Sequence, residues 1–346
     1  MVAQAAKTKV RLAFGAVVAL TVTGCGGGQD SAEDPYPSSL TTAEAIEDDV
    51  QFRPIPATCL VEPSGDGLTA EQVQEAQETD SDLVAPWLAG QDDQNLEEAL
   101  QTAVQGAQGD LDTDIGVVVL NRSTGEQLQI NQDSRVQAAS LSKVSVALSF
   151  MRHLKETDEE LTPVDSGLLE DSLANSGNES TAALFERLGE DDQMATDYLT
   201  ETYRMLGATE TTLQLGWGTE STTAADLSAV LDALTDTPDW VRAQDMDVIR
   251  EYLDPAQGYD SYTQDFGVGV LARADRVPPE LDVQEVAVKN GWLPGDDDRW
   301  NVGTMGQATI NGEVHDIVIT TYGAPNAECG YALLDDLVLM TARKAS

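Results

Sequence analysis

Ala139-Ser140-Leu141-Ser142-Lys143-Val144-Ser145-Val146-Ala147-Leu148 is the stretch that decides how this chain is read. Apolar residues at helical spacing follow a hydroxyl and an amine three positions apart, so Ser140 and Lys143 share one face of a helix's first turns. That is the geometry of a nucleophile beside its base. Alone the pair says little, because a chain of 346 residues supplies such spacings by chance. The neighbouring sequence decides whether it carries chemistry.

Upstream, a helix is predicted over 96–104. Ile115-Gly116-Val117-Val118-Val119-Leu120, the turn Asn121-Arg122-Ser123-Thr124-Gly125 and the segment 127–130 then read as a strand hairpin. Downstream, apolar periodicity predicts helices over 166–175, 180–188, 194–206, 224–234 and 240–253. Strands return at 283–288, 300–308 and 314–322, spaced by Pro294-Gly295-Asp296 and Asn311-Gly312, before an apolar helix over 331–342. Two strands at one end and three at the other define an α+β chain. We expect a five-stranded antiparallel sheet flanked by helices, with an inserted all-helical lobe. The cleft between sheet and lobe is the natural place for a site.

The N-terminus carries an address. Lys7, Lys9 and Arg11 precede an apolar run from Leu12 to Val22, then Thr23-Gly24-Cys25. A charged start, a short apolar stretch and a small residue before the cut describe a secretory signal, too short to span a bilayer. Cys25 directly after Gly24 resembles a bacterial lipoprotein signal. The resemblance implies that residues 1–24 are removed, that Cys25 is lipidated, and that the mature chain is held at the outer face of the cytoplasmic membrane. Residues 25–50 are mostly Gly, Ser, Thr, Pro and acid, with few large apolar residues, and read as a disordered acidic tether. Residues 51–92 form an N-terminal extension, with a helix around 70–76 and the apolar patch Leu83-Val84-Ala85-Pro86-Trp87-Leu88. It is expected to pack on a main domain over 93–346.

Composition excludes some partners. The formal net charge is -42, and loss of the signal's three cations takes it to -45. A surface that negative repels phosphate, so nucleic acid is not a partner. Asp296-Asp297-Asp298 reads as a wet turn. Asp110-Leu111-Asp112-Thr113-Asp114 imitates the start of a calcium loop but has Ile115 where the loop needs Gly, so neither metal nor cofactor is expected. Only four lysines lie beyond the signal, Lys143, Lys155, Lys289 and Lys344, and two of them sit in apolar surroundings. Two cysteines also remain, Cys59 and Cys329. In an oxidising compartment an even pair favours a disulfide joining the extension to the start of the last helix; two buried thiols are the alternative.

Three short motifs stand in order: Ser140-x-x-Lys143, then Ser176-Gly177-Asn178 at the turn between two lobe helices, then Lys289-Asn290-Gly291 at the end of an apolar strand. With Trp217-Gly218-Thr219-Glu220-Ser221-Thr222-Thr223 and Val288 to Pro294 beside them, they resemble the active-site set of penicillin-recognising serine enzymes, the class A β-lactamases and DD-peptidases. The resemblance covers roughly Ile115 to the C-terminus and implies a β-lactamase/transpeptidase-like fold. It also implies roles: Ser140 the nucleophile, Lys143 its base, Ser176 the relay of a proton to the leaving nitrogen, and Lys289 the cation for a substrate carboxylate. Asn178 and Asn290 would bind substrate, and the backbone N–H groups of Ser140 and Trp292, beside Gly291, would form the oxyanion hole. Burial and the like charge of Lys289 would lower the pKa of Lys143.

Departures from that pattern matter as much. The Glu-bearing loop that activates a deacylating water in class A enzymes has no counterpart between Thr211 and Thr222, and Glu210 and Glu220 are the only carboxylates nearby. Gly177 replaces the usual Asp, and Asn290 replaces a hydroxyl residue. His153 and His315 fit no triad, and no G-x-S-x-G elbow occurs. The expected protein is a monomeric envelope lipoprotein that takes a β-lactam or a cell-wall peptide and deacylates slowly. The competing reading is a catalytically idle lipoprotein that binds a wall fragment or a protein partner.

Overall fold

Strands from the two ends of the chain meet in the middle of one sheet. The computed structural model describes Cys59, Trp87, Leu88 and residues 93–255, 264–295 and 299–345. The signal, Cys25, the tether, the helix expected at 70–76 and Asp296-Asp297-Asp298 lie outside the described residues. Helix α1 (Leu96–Leu111) leads into β1 (Asp114–Asn121) and β2 (Gln127–Ile130). After the lobe come β5 (Val283–Pro294), β6 (Trp300–Ile310), β7 (Glu313–Ala324) and the last helix, α8 (Ala327–Lys344). The sheet order is β2-β1-β7-β6-β5, with every neighbouring pair antiparallel. β1 locks to β7 with Val118 opposite Val318, a non-local closure that ties the first strand to the last.

Alternation along the strands divides the interior in two. Val117, Val119, Ile317, Ile319 and Val302 face α1 and α8, in one core with Ala103, Leu333 and Leu337. Val118, Val318 and Met305 face the lobe, in a second core with Val144, Leu148, Phe150, Leu199 and Leu227. The β6–β7 hairpin turns on Asn311 and Gly312, with φ of 50° and 83°, the positive pair that a two-residue turn demands.

The lobe holds α2 (Ser142–Glu156), α3 (Pro163–Leu173), α4 (Asn178–Glu186), α5 (Asp192–Met205), α6 (Ala224–Thr235) and α7 (Ala243–Leu253). Side-chain caps set several starts, such as Thr162 with Asp165 ahead of Pro163, and Thr223 on the Asp226 N–H. A two-stranded ribbon not foreseen from sequence pairs β3 (Arg135–Gln137) with β4 (Ser221–Thr223). Strands of three residues are too short to show a period of two.

The extension is fastened to the domain where it is described. Cys59 and Cys329 form a disulfide with their Cα atoms 5.6 Å apart. Trp87 and Leu88 are buried, and the Trp87 indole donates to buried Asp110 at 2.9 Å. A Cβ on Gly106 of α1 would fall 2.3 Å from the Trp87 ring, so only glycine lets the indole seat there.

Candidate active site

Ser140 sits in a short 3-10 turn, Ala139–Leu141, that feeds directly into α2. The ribbon holds the approach: the Ala138 N–H donates to the Glu220 carbonyl at 2.9 Å, and Val136 pairs with Thr222. The next residue, Ala139, is forced to φ 48°. Left-handed backbone costs an ordinary residue roughly 1–2 kcal/mol. Among the described residues, of the positive-φ positions that are neither Gly, Asn nor Asp, two stand at this place, Ala139 and Ser176, and the third, Glu285, lies at a bulge in β5. Strain of this kind persists only where packing over-determines it.

The structure brings Lys143, Ser176, Asn178 and Lys289 together. The Lys143 ammonium donates to the Ser176 carbonyl, to Ser176 Oγ at 3.1 Å and to Asn178 Oδ1 at 2.8 Å. Three acceptors match its three protons. Lys289 reaches the same hydroxyl from the sheet: its Nζ lies 3.1 Å from Ser176 Oγ and 3.0 Å from the Asn290 carbonyl. Ser176 Oγ is therefore the point shared by two amines that are 146 positions apart in sequence. The Trp217 ring covers Lys143, its centroid 5.5 Å from Nζ.

Burial sets the protonation of both amines. It draws the Lys143 pKa down to about 8, against the Asp171 carboxylate, which favours the charged form. At pH 7 roughly one Lys143 in ten is then a neutral amine, about 300-fold more than for a lysine at 10.5. Lys289 is held well below its ordinary value by burial and by the Lys143 charge. The like-charge penalty thus falls visibly on Lys289, where the sequence had placed it on Lys143.

Strand β5 continues past Val288 to Pro294, so Lys289-Asn290-Gly291 lies inside the strand and not at its end. Alternation then gives its residues opposite faces. Lys289 and Gly291 look toward the lobe, and a Cβ at 291 would lie 2.8 Å from Leu141 N and 3.0 Å from Ser140 N. Only glycine admits the Ser140 turn this close to the strand. Asn290 is fully buried on the other face, where its amide donates to the Phe266 carbonyl at 2.9 Å and its N–H to Gln264 Oε1 at 2.7 Å. The substrate contact expected of its side chain is not made available by this geometry. The Trp292 side chain also turns from the cleft, packing edge-on to Phe266 and Tyr331 at 6.0 Å.

The carboxylates near the shortened loop take other posts. Glu210 pairs with Arg135 at 2.9 Å in the open. Glu220 is 1% exposed, and no hydrogen bond of normal geometry reaches either carboxylate oxygen. Burial pushes its pKa to about 7, opposed more weakly by the backbone N–H groups of Glu220 and Gly218. Its charge acts on the buried Tyr203 hydroxyl, which also meets Ser145. His153 packs edge-on to Tyr198, and His315 Nδ1 lies 3.0 Å from the Glu313 carbonyl; neither joins the cleft. Sequence reading missed Asp171, which belongs to no motif, and the covering role of Trp217.

An antiparallel sheet closed by both chain ends, with a helical lobe above a Ser-x-x-Lys turn, defines the class A β-lactamase fold. Solved structures agree. A class A β-lactamase from Bacteroides cellulosilyticus superposes with a TM-score of 0.60 at 14% identity, covering 73% of this chain and 100% of that one. A β-lactamase from Xanthomonas campestris gives 0.58 at 16% identity, over 73% and 99%. PBP-A gives 0.57 at 16%, over 72% and 94%, and a PBP-A mutant was solved as its acyl-enzyme with penicillin G. No curated protein sequence matches the chain. The chain belongs to the Beta-lactamase enzyme family, whose profile matches residues 95–304.

Proposed function

We propose that this protein is a cell-envelope serine hydrolase of the β-lactamase and penicillin-binding type, lipid-anchored through Cys25 outside the cytoplasmic membrane. It forms a Ser140 acyl-enzyme with a β-lactam or a peptidoglycan-like amide and releases it slowly. The observation that carries this reading is one hydroxyl, Ser176 Oγ, held 3.1 Å from each of two buried amines.

Neutral Lys143 takes the Ser140 hydroxyl proton as Oγ bonds to the amide carbonyl carbon. Charge develops on the carbonyl oxygen, where the backbone N–H groups of Ser140 and Trp292 receive it. The C–N bond breaks as the proton passes from Lys143 through Ser176 to the leaving nitrogen, and Lys143 is neutral again. Lys289, made reluctant to hold a charge alone, becomes a full cation when a substrate carboxylate arrives. Hydrolysis of the ester needs a base for water. Glu220 lies buried against Tyr203 and Glu210 is paired at the surface, so among the described residues neither loop carboxylate serves that step.

Exposure to a fluorescent penicillin followed by intact-mass spectrometry tests this. One adduct per chain, persisting for many minutes and absent in Ser140→Ala, is the expected result; rapid return to the parent mass would refute slow release. Asn290, buried with its side chain turned away from the cleft, favours a second reading, an idle lipoprotein that binds a wall fragment or a partner. It predicts no adduct at any dose, with Ser140→Ala and Lys143→Ala matching the parent in every binding assay.

A further inference from the structure

Position 177 is empty of side chain for a reason found on another helix. Gly177 has an ordinary extended backbone, φ -61° and ψ 121°, which any residue can adopt. What a side chain could not survive there is a neighbour: a Cβ at 177 would fall 1.9 Å from Asp171 Oδ2 and 2.6 Å from its Cγ. The half-buried Asp171 carboxylate, carried on the last turn of α3, fills the space beside the turn. It is fixed there by the Ser180 hydroxyl at 2.6 Å and the Asn175 amide at 3.3 Å, while the Gly177 N–H donates to its main-chain carbonyl at 2.8 Å. Asp171 thus clasps both sides of the residue that separates Ser176 from Asn178.

We propose that Asp171 is the positioning residue of this site: it replaces, from α3, the carboxylate that the middle of the Ser-x-Asn turn would otherwise carry, and it governs the proton on Lys143. The turn it clasps supplies all three acceptors of the Lys143 ammonium. The other groups around that ammonium are Lys289, of like charge, through the shared Ser176 hydroxyl, and the Trp217 ring. Among the described residues Asp171 is the carboxylate whose charge bears on Lys143, and it acts in the direction of the charged form. Opposed to burial, it leaves the amine mostly protonated at rest but close enough to neutrality to deprotonate when the cleft fills.

The inference rests on Lys143 serving as base, so its test begins with a readout that needs no turnover. Beyond residue 24 the chain has four lysines, which makes a titration of 13Cε-labelled lysine resolvable, with Lys143 assigned by Lys143→Arg. In Asp171→Asn the Lys143 midpoint is expected to fall by about one pH unit, the size of effect an opposite charge exerts at close range. The swap Asp171→Ala with Gly177→Asp moves the carboxylate back into the turn and is expected to restore the midpoint. The uncharged swap, Asp171→Ala with Gly177→Asn, is not, and it stands in should Asp171→Asn fail to fold. An unchanged Lys143 midpoint in a folded Asp171→Asn, or in the uncharged swap, overturns the proposal. Acylation by a fluorescent penicillin adds a second readout: the acid limb moves down by the same unit, while the high-pH plateau falls because a weaker base draws the Ser140 proton less. If the parent is never labelled, the acyl-transfer reading fails, and the titration still decides the role of Asp171.

Discussion

Lys143 and Ser145 lie about 200° apart on the first turns of α2, and the two sides of that helix treat a buried ionisable group in opposite ways. On the Lys143 side every proton of the ammonium has an acceptor, and the pKa settles near 8. On the Ser145 side no side chain bonds the Glu220 carboxylate, and burial, opposed only by the backbone N–H groups of Glu220 and Gly218, raises its pKa to about 7. The same division recurs on β5, with Lys289 and Gly291 toward the cleft and Asn290 and Trp292 in the core behind it. Burial alone does not mark a functional group. Both groups exchange a proton near neutral pH, but the Lys143 ammonium is held by three acceptors in the cleft, whereas ionising Glu220 in its buried place costs stability.

The sharpest way to break this contrast is at the cleft. Ser140→Ala should remove penicillin labelling altogether, as read by gel fluorescence. Lys143→Ala should slow acylation by about 10³-fold, the usual reach of a positioned base; a loss below tenfold would show that the amine is only packing. In the parent, the acylation rate should rise with pH to a midpoint near 8.

On the far side of α2 the effect is on stability. The folded pKa of Glu220, near 7, stands above its unbonded value of 4.5. The folded state therefore holds the proton more tightly, and the contribution is complete below pH 4.5 and lost as pH rises through 7. Urea unfolding should show the parent losing about 3 kcal/mol more than Glu220→Gln between pH 4 and 8, with labelling kept in both. Smallest is the back of β5: Asn290→Ala should cost about 1 kcal/mol through the lost amide bond to Phe266, while the acylation rate stays within about twofold. A large rise in KM for that variant would put its amide back in the cleft.

What could be read in the sequence follows from how local each signal is. The five strands, the Asn311-Gly312 turn and the cysteine pair announce themselves through composition and turn chemistry within a few residues. The motif triplet places Ser140, Lys143, Ser176, Asn178 and Lys289 because each belongs to an element whose type is legible. Asn290 was misjudged because its face depends on where β5 ends, and the apolar run fades at Val288 although the pairing continues to Pro294. Asp171 was invisible for a different reason. Its partner is a missing side chain six positions away, and only the fold of α3 onto the next turn shows why Gly177 is bare. The burial of Glu220 depends in the same way on the short ribbon that carries its carbonyl.

The covalent link between Cys59 and Cys329 reroutes mechanical load. A pull on the chain ahead of Cys59, opposed at the C-terminus, passes from Cys59 straight across the sulfur bridge into α8. The 269 residues from 60 to 328, cleft included, form a loop outside that line of tension. Tension between the two ends of the chain therefore bypasses the cleft.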